Sequence, residues 1–541
     1  MRRSRAASIV ALGAASALAL AACGGGGGTP ADPGGAAPGG GTYSININSD
    51  PEKPLVPGDT TESEGAQVAR ALFTPLVEYN NETVEVEYSG PAESIESTDN
   101  INWTVVLKDG WTFHDGTPVN AQSFVDAWNY TANVENAQGG AYFFSKIVGY
   151  DGENPKPAME GLAVVDDLTF TVQLNEPFRQ FPLITGYTAF APLPEAFFAD
   201  PAAFGRQPIG NGPFKADTEY VPGQGITLSR FDEYAGENAA TAAGVEIRVI
   251  SDINTAYNEL LAGNLDVYRY SLPPELATIA PDELGDRYFE RVSSSFTFMG
   301  FPLYDARFAD PRVRQAFSMA VDRPAITDAI FSGTRVPAYD VIPPTIDGHR
   351  PDACGFCQYD PAAAQQLLAD SGFDTSQPVE LWFNSGAGHD QWVQAVGNQL
   401  QQNLGITYTL RGDLDFAQYL PLADEQGMTG PFRLGWGMDY PSPENFLAPL
   451  FTTAAQPPAG SNSTFYSNPE FDRLVAEGNA ASSNDEAIAL YQQADDILLT
   501  DLPMMPIFFG FSQGGHSENV DNVAFSPFAT DVVLTEVTVN G

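Results

Sequence analysis

Phe432-Arg433-Leu434-Gly435-Trp436-Gly437-Met438-Asp439-Tyr440-Pro441 is the stretch on which the reading of this chain turns. It reads as a short strand that breaks at Pro441, with a Trp held between two glycines, an Arg three residues before it and an Asp three after. Glycine has no Cβ, so a second backbone can approach such a strand edge, and an extended guest chain can add there as one more strand. Asp439 suits an ammonium, Arg433 suits a carboxylate, and Trp436 offers broad apolar contact with little rotamer entropy to lose. The same residues also suit a core strand with a buried Trp and a turn-initiating Asp before a proline-rich loop.

Around that stretch lies a chain of 541 residues, too long for one ordinary core, so two or three domains are expected. A net charge of -44 repels nucleic acid and anionic lipid, which makes both poor partners. At the N-terminus, Arg2, Arg3 and Arg5 precede an apolar run over 9–20, and Leu20-Ala21-Ala22-Cys23 closes it with small residues before a Cys. That pattern over 1–22 is a signal peptide of the bacterial lipoprotein kind, with cleavage leaving Cys23 to carry diacylglycerol. Two acyl chains anchor firmly where one binds marginally. Residues 23–41 then supply the lipidated Cys and a Gly/Pro-rich tether of about 25 Å rms reach. The expected location is the outer face of the bacterial cytoplasmic membrane. In an exported chain, Cys354-Gly355-Phe356-Cys357 is expected to close as a local disulfide, Cys354 to Cys357, and no metal set is expected.

Along the body, 84–186 reads mainly as strands interrupted by a helix near 121–131. After 208–214, helix and strand alternate, which argues α/β units. Asp310-Pro311, Asp360-Pro361 and Asn468-Pro469 each open a helix, with Gly372 expected to close the second and Gly478 the third.

Several segments together resemble a known family, the dipeptide- and oligopeptide-binding lipoproteins of ABC importers (extracellular solute-binding protein family 5). They include Val68-Ala69-Arg70-Ala71-Leu72-Phe73-Thr74-Pro75, Phe113-His114-Asp115-Gly116-Thr117-Pro118-Val119, Pro208-Ile209-Gly210-Asn211-Gly212-Pro213-Phe214, Asp310-Pro311-Arg312-Val313-Arg314 and the stretch quoted first. The resemblance implies an α/β, periplasmic-binding-protein-like fold (type II, cluster C) with two hinged lobes and an inserted β-rich subdomain, three domains in all. The expected boundaries are 42–75 with 208–295 and 508–541 for lobe I, 76–207 for the inserted domain and 296–507 for lobe III. Two strands near 293–301 and 505–511 are expected to cross between the lobes, which restricts motion to a hinge.

Carried over residue by residue, the resemblance places Asp439 against a peptide's α-ammonium and Arg433 against a ligand carboxylate. The backbone of Gly435, Trp436 and Gly437 falls on the peptide-pairing edge, and Phe416 falls at a pocket aromatic. Gly437 stands where some peptide binders carry a Cys, so the disulfide made there by those proteins is absent. The implied partners are a peptide ligand, an ABC permease with its ATPase subunits, and the membrane through Cys23, the receptor being a monomer without cofactor. The same fold can also serve a nickel chelate, haem or an oligosaccharide. An enzyme reading rests on Gly510-Phe511-Ser512-Gln513-Gly514, a G-x-S-x-G match that needs Ser512 on a strand-to-helix elbow. The polar, glycine-rich residues that follow do not read as a helix.

Overall fold

Two antiparallel strands of 13 residues each, Tyr288–Gly300 and Met504–His516, run side by side through the middle of the molecule. The computed structural model describes residues 40–541 apart from 271, 273, 527, 529, 530 and 541, so Cys23, the signal segment and nearly all of the tether lie outside the described residues. The two long strands join the halves of an 11-stranded mixed sheet. On one side lie Val267–Tyr268, Thr42–Ile47, Gly244–Val249, Gly225–Arg230 and Phe214–Ala216; on the other lie Phe432–Gly437, Val379–Trp382 and Tyr408–Arg411; the short strand Val336–Pro337 pairs with Met504–His516 off this path. Their register runs from Tyr288 opposite Gly515 to Gly300 opposite Met504, with a shift between Val292 and Phe296. An irregularity of that kind bends a strand, and here Ser293, Ser294 and Ser295 stand against Gly510 alone, midway between the halves.

Separate apolar cores stand on either side of the crossing. One gathers Tyr43, Val68, Trp128, Phe170 and Val245 and takes in Val520 to Val537 from the C-terminal end. Two others surround Phe298, Phe432 and Leu498, and Phe317, Leu381 and Trp392. Within the first, the strands Ala92–Ser97, Asn102–Leu107, Thr169–Gln173 and Leu162–Asp166 form a four-stranded antiparallel sheet. The helix Ala121–Ala132 covers it and starts at Asn120 with a reciprocal capping box. Its Trp128 sits edge-on to Phe170 and Phe190 and donates its indole N–H to the Phe190 carbonyl at 3.1 Å. Between the strands, 141–190 also contains short helical turns such as Ala141–Phe144 and Phe181–Ile184, so the region is less purely strand than its sequence reads.

Three segments that carried the resemblance meet at one point. His114 accepts from the Gly210 N–H through Nδ1 (3.0 Å) and bonds the Gly212 carbonyl through Nε2 (3.1 Å). The Gly212 N–H donates to the Leu72 carbonyl, and Asn211 exchanges hydrogen bonds with the Thr74 backbone. Burial pushes the His114 pKa down to about 4, so the neutral ring is a structural staple. A Cβ on Gly210 or Gly212 would fall within 2.8 Å of Leu72 backbone atoms, which is why glycine stands at both places.

The capped helices form from Asp310, Asp360 and Asn468, and Gly372 closes the second in a left-handed conformation. Gly478 does not close the third: the helix Pro469–Ala480 continues two residues past it. A Cβ at Gly478 would lie 2.4 Å from the Tyr491 ring, so this glycine lets the helix Asn484–Asp501 pack closely. Cys354 and Cys357 are joined by a disulfide and are buried. Gly510 to Gly514 lie inside the continuous strand Met504–His516, so Ser512 occupies no strand-to-helix elbow.

The halves touch away from the crossing strands. The Arg179 backbone N–H donates to Asn479 O at 2.8 Å, and its guanidinium bonds Ser482 O and Asn484 Oδ1 at 3.1 Å each. Asn100 donates to Ala481 O at 3.2 Å, and Phe178 packs edge-on to Tyr440. These contacts fasten the β-rich sheet to the turn between the last two long helices.

Candidate functional site

Phe432–Gly437 forms a strand because its apolar residues alternate, with Phe432 and Leu434 buried and Arg433 and Gly435 half-buried. It pairs along its whole length with Ser295 to Gly300 of the first crossing strand. On its other side the strand Val379–Trp382 meets it only at Trp382 opposite Phe432 and then diverges. Beyond Phe432 that edge is open.

Met438 N–H donates to Ser294 O at 3.0 Å, so by strand alternation the even-numbered residues face the crossing strand and Arg433, Gly435 and Gly437 face outward. The Arg433 carbonyl accepts from the Tyr419 hydroxyl at 2.9 Å. Among the described residues, no neighbouring strand covers the outward backbone groups of Gly435 and Gly437. A Cβ built on Gly437 would meet nothing within 4 Å, so the space beside it is empty.

Asp439 stands just past the end of that edge. Its backbone N–H donates to Asn445 Oδ1 at 2.9 Å, Asn445 Nδ2 donates to its carboxylate at 3.2 Å, and the Trp436 indole donates to the same Asn445 oxygen at 3.3 Å. Asn445 thus orients Asp439 and Trp436 together. The carboxyl keeps a little exposure, yet the protein around it strips away most of its water. Burial pushes its pKa up to about 7, and the Asn445 bond only partly offsets this. Among the described residues, no Lys or Arg pairs with it.

Three phenols from the other half, Tyr79, Tyr142 and Tyr187, lie near enough to feel its charge, which adds to burial in raising their pKa values. Arg70 is close to Tyr79 and Tyr187, but it is bound to Asp531. The arrangement is a desolvated carboxyl without a counter-ion, next to an unpaired strand edge, facing aromatic side chains from the opposite half.

Residues 88–458 match the bacterial extracellular solute-binding proteins, family 5. The chain belongs to this family. It is 28% identical to the oligopeptide-binding protein OppA of Bacillus subtilis over 503 residues, covering 89% of this chain and 90% of that one. It is also 28% identical to the periplasmic oligopeptide-binding protein OppA of Salmonella typhimurium, over 78% of each chain. The solved structure of the Escherichia coli murein tripeptide binding protein MppA superposes with a TM-score of 0.76 at 24% identity, covering 92% of this chain and 99% of that one. The α/β solute-binding fold with its inserted β-rich part is therefore the family's own.

In this family 5 chain, the sequence stretch that carried the site places Arg433, Gly435, Trp436, Gly437 and Asp439 along one strand and its end. The Arg433 guanidinium folds back beside Gly435, and its Nη1 donates to Asn384 Oδ1 at 3.2 Å. Burial lowers its pKa to about 10, and its Nε is buried without a partner. Phe416 begins the helix Phe416–Asp424, is 46% exposed, and lines neither of the two described cavities. Sequence reasoning missed Asn445, although it lies six residues after Asp439, and it missed the three tyrosines, for which no local signal exists. No helix among the described residues is long and apolar enough to cross a membrane.

Proposed function

We propose that this family 5 protein is the extracytoplasmic receptor of an ABC importer, capturing peptides between its lobes and delivering them to a permease driven by ATPase subunits. The observation that carries the reading is the open strand edge beside a carboxyl that has no cation of its own. Such an edge pairs with the main chain of a peptide, and Asp439 receives the α-ammonium. These features are common to all peptides, so side chains can occupy roomier, hydrated space. Similarity to proteins named for oligopeptides and a murein tripeptide supports the same reading.

Asp439, Trp436, Gly435, Gly437 and Arg433 are the proposed ligand contacts, and none has a catalytic role; Phe416, assigned to the pocket by likeness alone, has no contact that supports such a place. The proposed boundaries are 42–75, 208–295 and 508–541 for lobe I, 76–207 for the inserted domain and 296–507 for lobe III; the separate cores on either side of the crossing support the division between lobe III and the rest. The lobes close through bending at the serine-rich irregularity of the crossing strands. The leader and Cys23 support a lipid anchor on the outer face of the cytoplasmic membrane, with the body working as a monomer.

Native mass spectrometry of freshly purified protein tests the reading. A ladder of co-purified peptide masses is expected. A single non-peptide mass, such as a metal chelate, haem or an oligosaccharide, overturns it.

A further inference from the structure

The helix Pro469–Ala480 ends without a cation of its own. Its first turn holds Glu470 and Asp472, and its last turn holds no basic residue. A helix C-terminus leaves carbonyls without partners inside the helix and gathers negative partial charge there. Here both are answered from the other half of the molecule. The Arg179 N–H bonds the Asn479 carbonyl, and the Arg179 guanidinium donates to the Ser482 carbonyl and to Asn484 Oδ1. Asn100 covers the Ala481 carbonyl. Behind them, the Gln180 amide donates to the Tyr491 hydroxyl at 3.5 Å, and that hydroxyl donates to Asn479 Oδ1 at 2.7 Å.

A cavity of about 960 Å³ lies beside this contact, lined by Asn102, Arg179 and Leu183 from one half and by Pro443, Asn484 and Ile488 from the other. Surfaces that stay together pack to the density of a protein interior. These two meet instead through a few hydrogen bonds at the edge of a gap. Bonds so close to solvent are cheap to break, because water replaces each lost partner. One apolar contact accompanies them: the buried Phe178 ring stands edge-on to Tyr440 at 6.4 Å. Tyr440 directly follows Asp439, and its hydroxyl donates to Glu444, the neighbour of the Asn445 that orients Asp439.

We propose that Arg179 is the latch of the closed receptor: by capping the C-terminus of the helix Pro469–Ala480 across the cleft, it populates the closed form before a guest arrives and slows the guest's escape afterwards. Every bond in the latch joins protein to protein, so it acts without a guest. Bending at the crossing strands carries Asn100 and Arg179 away from 479–484, and water takes over the freed carbonyls, so the halves can part. A guest held by Asp439 fixes Tyr440, the next residue, against Phe178, so capture and latching support each other. Arg179 is a positioning residue and touches no guest. The inference rests on enclosure of a guest between the lobes, not on that guest's being a peptide.

Double electron–electron resonance between nitroxides on Gln173→Cys and Ala489→Cys, exposed positions on the two sides of the latch, tests this in protein stripped of guest by unfolding and refolding. The wild-type protein is expected to show a short distance together with a longer one, and Arg179→Met to lower the ratio of short to long by at least about tenfold. Arg179→Lys, which keeps the charge and loses the planar fork, is expected to fall between them. In freshly purified protein under dialysis, native mass spectrometry is expected to show Arg179→Met losing its guest at least about tenfold faster than the wild type. A single long distance in the stripped wild-type protein, or an unchanged distribution in Arg179→Met, overturns the inference. So does faster loss of guest with unchanged distances, which makes Arg179 part of the guest's own site. Should a circular dichroism melt show Arg179→Met unfolded, Asn100→Ala combined with Asn484→Ala removes two bonds of the latch with Arg179 in place, and the same outcomes decide. A non-peptide mass in those spectra removes the peptide reading and leaves the latch standing.

Discussion

Replacing Asp439 by Ala is expected to weaken peptide binding tenfold to a hundredfold while the protein stays folded. A charge-assisted hydrogen bond contributes about 1.5–3 kcal/mol, which corresponds to that range of affinity. The loss stays confined to binding because Asp439 holds no structural cation, and its bonds run to a single neighbour, Asn445. The backbone N–H to Asn445 survives the substitution, so Trp436 and the end of the strand keep their anchor. Calorimetry gives the affinity, and a circular dichroism melt shows whether the fold persists. Unchanged affinity removes Asp439 from the site.

Peptide affinity is expected to be highest near pH 7.5 and to fall about twentyfold by pH 5.5. The ligand-free Asp439 carboxyl has a pKa of about 7, raised by burial. A peptide ammonium requires the ionised form, so below pH 7 each unit lowers apparent affinity by about tenfold. Above about pH 8 the peptide α-amino group begins to lose its own charge, which bounds the optimum from the other side. At neutral pH, binding therefore releases part of a proton, readable as a dependence of the calorimetric heat on the buffer's ionisation enthalpy.

The effect of the same carboxyl on folding has the opposite sense. Its folded pKa lies above the unfolded value of about 3.9, so its contribution to stability is fully present below that pH and is lost as pH rises through about 7. Asp439→Asn removes both effects. A flat affinity profile between pH 5.5 and 7.5 contradicts the assignment of the ammonium to Asp439.

What the sequence made legible was local. Helix starts at Asp310, Asp360 and Asn468 were readable because a cap and a proline sit next to each other in the chain. The two crossing strands were readable as apolar, strand-like runs. The open edge at Gly435 and Gly437 followed from glycines bracketing a Trp. Gly478 was misread because a glycine near a helix end signals termination, whereas here the Tyr491 ring of the next helix requires it.

The remainder depended on contacts between distant segments. Tyr79, Tyr142 and Tyr187, from the other half of the chain, come near enough to Asp439 to feel its charge. Phe416 was placed by likeness alone and stands largely exposed at the start of its helix.

Titrating the wild-type protein with a short peptide and with its Nα-acetylated counterpart at pH 7.5 tests most directly whether a carboxyl beside a free strand edge reads a peptide's amino end. Acetylation removes the positive charge and leaves the rest of the backbone able to pair. At least tenfold weaker binding of the acetylated peptide is expected, with the difference disappearing in Asp439→Ala. Equal binding of the two peptides to the wild-type protein would contradict it.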